Sequence, residues 1–313
     1  MRIAFIGTGE IGVPVLRSLL NSLEHELVGV VTQPDKPAGR DQELRAPPIK
    51  TAIAGSAAPI FQPARIRASE AIEQIRALNP EVIVVMAYGQ ILPKTVLEIP
   101  RVACLNLHAS LLPKYRGAAP LQAAIVAGDQ DTGITVMYMD EGLDTGDILM
   151  QSRLEISPNE TGGSLHDRLG EIAAEALIES LDLLSRGAAP RVPQDAARAS
   201  YAPKLTRDQG KIDWTEPAVV IERKIRAFDP WPGTFMLLDG PGGRSPKLKI
   251  FRASVLPAEQ AAPGKILRAD QDGILIGAEG GAVLLGEVQL EGKRRMSAAE
   301  FVHGHPAIVP AGK

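Results

Sequence analysis

The stretch FIGTGEIGVPVL, residues 5–16, decides how the first half of the chain is read. An apolar run, Ile3 to Ile6, leads into Gly7, Gly9 and Gly12 in G-x-G-x-x-G spacing, and an amphipathic run follows. Strand, glycine turn and helix in that order open a dinucleotide-binding unit, where the glycines let backbone approach a pyrophosphate. The same glycines also suit a tight turn and close helix–strand packing at a helix N-terminus. A dinucleotide site asks further for an acid at the end of the second strand, about 20 residues on, to hold the ribose. That strand here runs into Val31-Thr32-Gln33-Pro34-Asp35, so the acid arrives late, beyond a proline and in a loop.

Outward from this turn, strand-like runs at residues 3–7, 27–32, 82–88, 104–108 and 133–139 alternate with helical patterns such as PVLRSLLNSL and SEAIEQIRAL, the latter with Ser69 as N-cap. Near-continuous Val/Ile strands between helices predict a Rossmann-like α/β unit, a mostly parallel sheet with helices on both faces. A long helix over about 163–184 closes it. The Ala/Pro/Arg-rich stretch at 185–204 lacks periodicity and reads as a linker. Short β-like runs punctuated by Gly and Pro follow, the texture of a small β-barrel of OB-like type. The expected division is a catalytic domain over 1–187, a linker over 188–205 and a β-barrel domain over 206–313.

Bulk properties narrow the class. The chain has 313 residues, 45% hydrophobic and 23% charged, the balance of a globular protein of two domains. No apolar run approaches the ~18 residues of a bilayer span and the start has no signal-peptide pattern, so a cytoplasmic protein without a membrane partner is expected. The single cysteine, Cys104, rules out an internal disulfide framework and a Cys-rich metal site. Residues 1–200 hold 18 Lys/Arg against 24 Asp/Glu, while 201–313 hold 16 against 13. An acidic front and a mildly basic back suggest modules with different partners, although +3 over the back part is also an ordinary surface.

The chemistry concentrates in NLHASLLPKYRGAAPLQAAI (106–125) and GITVMYMDEGLDTGDIL (133–149). Alternation in a strand puts Cys104, Asn106 and His108 on one face and Leu105 and Leu107 on the other. An amide and an imidazole at a strand's carboxyl end lie where open α/β sheets place ligands. Downstream, Gly142 and Gly146 suggest a tight loop that holds Asp144 against the neighbouring strand end. A carboxylate beside imidazole fixes its tautomer and suits acid–base work, and Asn106 offers N–H donors to a developing oxyanion. Together these fit acyl-type transfer without a Ser or Cys nucleophile. A structural histidine and a solvated acidic loop fit the same residues.

The run Asn106-Leu-His108-Ala-Ser110-Leu-Leu-Pro113-Lys-Tyr-Arg116-Gly117-Ala-Ala-Pro120, with Asp144-Thr-Gly146-Asp147 after it, resembles the signature of the folate-dependent formyltransferases. VTQPDKPAGR (31–40) is similar to the inserted loop of that family's first domain. KLTRDQGKIDW (204–214), IRAFDPWPG (225–233) and LEGKRRMS (290–297) are similar to a second domain found in its tRNA-acting branch. The resemblance implies that Asn106, His108 and Asp144 are catalytic, and that the methionine amino group of initiator methionyl-tRNA attacks the formyl carbon of 10-formyltetrahydrofolate, the co-substrate. It implies folate contacts at Ser110, Leu111, Leu112 and Pro113, with Met86, Tyr88, Gly89 and Ile91 in the pocket wall. It implies tRNA contacts at Arg40, Lys204, Arg207, Lys211, Lys293 and Arg294, from a monomer. Asp41 and Glu43 stand where relatives are often more basic. Gly9 and Ile11 stand where the family usually has a proline and an aromatic, so the glycine spacing is coincidental, and neither NAD nor a metal is expected. A formyltransferase for small amines, and a non-catalytic RNA-binding protein on the same fold, are the other readings. The second domain speaks against the first and the intact trio against the second.

Overall fold

The computed structural model describes residues 1–39, 41–238, 245–257 and 262–305. Among these the chain divides into two compact units. The first comprises 1–120, 131–155 and 166–202, and the second 121–130, 156–165 and the chain from Pro203 onward.

In the first unit, β1 (Arg2–Gly7), β2 (Glu26–Val31), β3 (Ile60–Phe61), β4 (Val82–Met86), β5 (Ala103–His108), β6 (Asp131–Tyr138) and β7 (Ile148–Glu155) form one sheet in the order β7-β6-β5-β4-β1-β2-β3. Ile3 to Ile6 are wholly buried, and Val82 to Met86 nearly so, as strands covered on both faces require. The pairs β1–β2, β1–β4, β2–β3 and β4–β5 are parallel. β6 departs from that pattern: it runs antiparallel to β5, with His108 opposite Thr135, and β7 runs antiparallel to β6. An apolar run carries no record of its direction, so this reversal had no mark in the sequence.

The glycine turn is a packing device. A Cβ on Gly7 would stand 2.6 Å from the Phe5 ring and 2.8 Å from the Met86 carbonyl, so only glycine lets β1 leave the sheet beside β4. Helix α1 (Val13–Leu20) follows after a short 3-10 turn. Asp35, the late acid, accepts bonds from Lys50 Nζ at 2.8 Å and Gln62 Nε2 at 2.8 Å at the base of a small hairpin, Lys36–Ala38 with Glu43–Arg45. The Gln62 bond and then the Lys50 ammonium hold its carboxyl below the usual carboxylate range. Helix α2 (Ser69–Ala77) is capped at Ala68 rather than at Ser69; Ser69 is already helical, and no side chain caps the end. In α3 (Gly162–Ser185), Leu169, Ala173, Ala176, Leu177 and Leu181 recur at three- and four-residue spacing and are buried.

The second unit contains an antiparallel sheet. Its strands β8 (Thr234–Leu237), β9 (Lys247–Leu256), β10 (Ile266–Asp270), β11 (Gly273–Ala278) and β12 (Gly281–Leu290) lie in the order β8-β9-β12-β11-β10, and β13 (Met296–Ser297) pairs with β12. Ile250, Ile276, Val283 and Leu285 pack with Ile221 and Ile225 of α4 (Ala218–Ala227) and Phe301 of α5 (Ala298–Gly304) into one core.

Candidate active site

Asn106 and His108 share one face of β5, Asn106 half-buried and His108 only 6% exposed, while Leu105 and Leu107 are buried. Cys104 is also buried, and burial pushes its thiol up to about 12, which disqualifies it as a nucleophile near neutral pH. Asp144 comes from the loop joining the antiparallel strands β6 and β7. Its Oδ1 accepts from Asn106 Nδ2 at 3.4 Å, and its Oδ2 accepts from the Gly117 backbone N–H at 2.8 Å and lies 3.6 Å from His108 Nδ1. The other ring nitrogen, Nε2, is 2.9 Å from the Tyr115 carbonyl. The three side chains expected to act together are thus brought together, on a loop and strand of one unit.

The segment after β5 is held from below. Thr135 Oγ1 donates to the Ser110 carbonyl at 2.6 Å and accepts from Leu112 N–H at 3.0 Å and from Gln151 Nε2 at 2.9 Å. Gln151 Nε2 also donates to the Leu112 carbonyl at 2.9 Å. Ser110 Oγ donates to the Lys114 carbonyl at 2.6 Å, closing the turn. Gly117, at φ 112°, lies so close to the strand Tyr201–Ala202 that a Cβ would meet the Ala202 carbonyl at 2.6 Å. Glycine is required there for both reasons.

The stretch read as a linker is more than a connection. Val192 and Ile148 exchange backbone hydrogen bonds, and Tyr201–Ala202 pairs in parallel with Arg116–Gly117. Gln194 Nε2 donates to the Asp144 carbonyl at 2.9 Å and the Gly146 carbonyl at 2.8 Å, while its Oε1 accepts from Arg116 at 3.1 and 2.8 Å. Ser200 Oγ accepts from the Tyr115 N–H at 2.9 Å. Sequence reasoning missed Thr135, Gln151, Gln194 and Ser200; none lies in a periodic pattern, and a lone Gln in an Ala/Pro stretch gives no signal.

The expected folate residues differ in exposure. The side chains of Ser110, Leu112, Met86 and Tyr88 are buried, those of Leu111 and Pro113 half-buried, and Gly89 and Ile91 are exposed. The Tyr88 hydroxyl has no hydrogen-bond partner among the described residues, and burial pushes it up to about 12. Of the expected tRNA residues, Arg40 lies outside the described residues. Lys204, Arg207, Lys211, Lys293 and Arg294 are exposed, and Arg294 pairs with Glu300. Trp214 packs against the core of the second unit, whereas Trp231 is 48% exposed.

Residues 1–181 match the model of the formyl transferase family, and residues 204–306 match that of the formyl transferase C-terminal domain. A methionyl-tRNA formyltransferase of Geobacter sulfurreducens is 46% identical over 97% of this chain and 94% of its own length. One from Methylacidiphilum infernorum is 48% identical over 97% and 95%. Among solved structures, a methionyl-tRNA formyltransferase from Clostridium thermocellum matches with a TM-score of 0.59 at 20% identity, covering 83% of this chain and 95% of the other. HypX from Aquifex aeolicus in complex with tetrahydrofolic acid matches with a TM-score of 0.63 at 19% identity, over 99% and 48%. These two structural likenesses speak to the fold.

Proposed function

This chain belongs to the formyl transferase family, and on that premise we propose that the Asn106, His108 and Asp144 cluster carries its group transfer. The chain formylates the methionine amino group of initiator methionyl-tRNA, and the formyl donor is 10-formyltetrahydrofolate. The observation that carries the roles is the proton accounting at His108. A carbonyl only accepts, so Nε2 holds a hydrogen toward Tyr115. Nδ1 then faces the Asp144 carboxylate across 3.6 Å, so that a proton taken up at Nδ1 would stand beside a carboxylate.

That arrangement suits the reaction. The amine attacks the formyl carbon, and the carbonyl electrons move onto oxygen. Asn106 spends one Nδ2–H on Asp144 and offers the other to this oxyanion. The His108–Asp144 pair takes the proton the amine nitrogen sheds and returns one to the N10 nitrogen of the folate as it leaves. Assistance of this kind is worth ~10² to 10⁴ in rate. Leu111, Pro113, Gly89 and Ile91 offer side-chain or backbone surface to the folate, while the buried Ser110, Leu112, Met86 and Tyr88 shape the wall behind. Lys204, Arg207, Lys211, Lys293 and Arg294 contact tRNA phosphates, which positions the nucleic acid without reading its sequence. Translation places this work in the cytoplasm, and the enzyme acts as a monomer.

The test offers labelled 10-formyltetrahydrofolate with initiator methionyl-tRNA, elongator methionyl-tRNA and free methionine. Label on the initiator alone supports the reading. Label on none of them, with folate still bound, overturns the substrate assignment.

A further inference from the structure

We infer that Gln194, in the stretch leading out of the first unit, is a positioning residue that holds Asp144 in its working geometry. The inference rests on the role given to Asp144 above. Asp144 has φ 52°, a left-handed conformation that costs a non-glycine residue free energy unless its surroundings hold it. Its carboxylate is gripped by the Gly117 N–H, and its carbonyl by Gln194. The orientation of the Gln194 amide is not arbitrary. Arginine only donates, so the group facing Arg116 must be Oε1, which leaves both hydrogens of Nε2 for the Asp144 and Gly146 carbonyls. One side chain thereby ties both ends of the Asp144-Thr145-Gly146 turn to Arg116, whose neighbour Gly117 holds the carboxylate. A few residues on, Ser200 Oγ and its carbonyl accept from the N–H groups of Tyr115 and Arg116, and the Tyr115 carbonyl is the partner of His108 Nε2. Both partners of the imidazole are therefore located by the same stretch, 192–202. Gln194 touches no reacting atom in this scheme and acts only through Asp144.

The experiment is a double-mutant cycle on the full-length enzyme, with Gln194→Met, Asp144→Asn and the pair. Gln194→Met keeps the length and removes every hydrogen bond. It should lower kcat about 10- to 100-fold, the scale of a 1 Å misplacement, with KM for folate and for tRNA within about twofold. The pH dependence of kcat should shift, because the Asp144 carboxylate no longer keeps its place beside His108 Nδ1. Combined with Asp144→Asn it should cost nothing further, since removing two members of one unit is non-additive. Gln194→Glu keeps the bond to Arg116 but sets a carboxylate against two carbonyls, and it should be as slow as the Met variant. Losses that multiply in the cycle, or a Gln194→Glu enzyme of wild-type rate, overturn the inference. If Asp144→Asn alone retains full rate, the catalytic reading falls instead, and the two failures are distinct.

Discussion

Asp144 is acceptable at φ 52° because Asp tolerates the left-handed region better than most residues, and because its neighbours fix it. Asp144→Asn keeps size and shape but removes the carboxylate that faces His108 Nδ1. It should lower kcat by ~10² or more while leaving folate affinity near wild type, read by steady-state rates and equilibrium folate binding. A second residue ties stability to pH. His25 is buried beside the chain's amino group, and burial first, then that charge, pushes its pKa below the usual 6.5. The unfolded chain therefore binds the proton more readily than the fold. Stability contributed by neutral His25 is full above pH 6.5 and is lost as pH falls through the lower folded value. Thermal midpoints should drop on acidification across that window, and His25→Gln should flatten the slope. At this scale the closeness of Asn106 and His108 was legible, since the two-residue period of β5 puts them on one face, and Gly142 and Gly146 marked the loop that carries Asp144. Gln194 was not, because a side-chain amide bonding to carbonyls leaves no trace in hydropathy or spacing.

At the scale of elements, the site depends on the direction of β6. Because β6 opposes β5, Thr135 comes to lie across from His108, beneath the loop that follows it. A single hydroxyl there makes three hydrogen bonds to Ser110, Leu112 and Gln151. Thr135→Val preserves shape and takes this partner from the Ser110 carbonyl and the Leu112 N–H, at a cost of about 1–3 kcal/mol, while Gln151 keeps its bond to the Leu112 carbonyl. Its melting temperature should fall by several degrees and its kcat should fall with it. Thr135→Ser should restore both. The expectation of strands and helices came from apolar periodicity, which reports burial well. It is silent on direction, so the reversal at β6 and the use of 192–202 as part of the site emerged only from the pairing of strands.

Over the whole chain, charge is unevenly divided, with the positive excess confined to the part after residue 200. Exposed Lys204, Arg207, Lys211 and Lys293 are suited to a phosphate backbone, whose binding weakens with salt as counterions are no longer released to advantage. KM for initiator tRNA should therefore rise steeply with salt while KM for folate stays flat. Lys211→Ala should reduce the slope of log KM against log salt by about 1 and leave the choice between initiator and elongator unchanged.

The anchoring of 192–202 also sets where this protein can be cut and recombined. Matched family regions, ending at 181 and resuming at 204, invite a junction anywhere between. The hydrogen bonds say otherwise: a chimera joined at 187 exchanges Gln194 and Ser200 along with the foreign tail, whereas one joined after Ala202 carries them intact. The hydrogen bonds that brace the Asp144 loop thus reach to residue 202, and a junction that spares them lies beyond it.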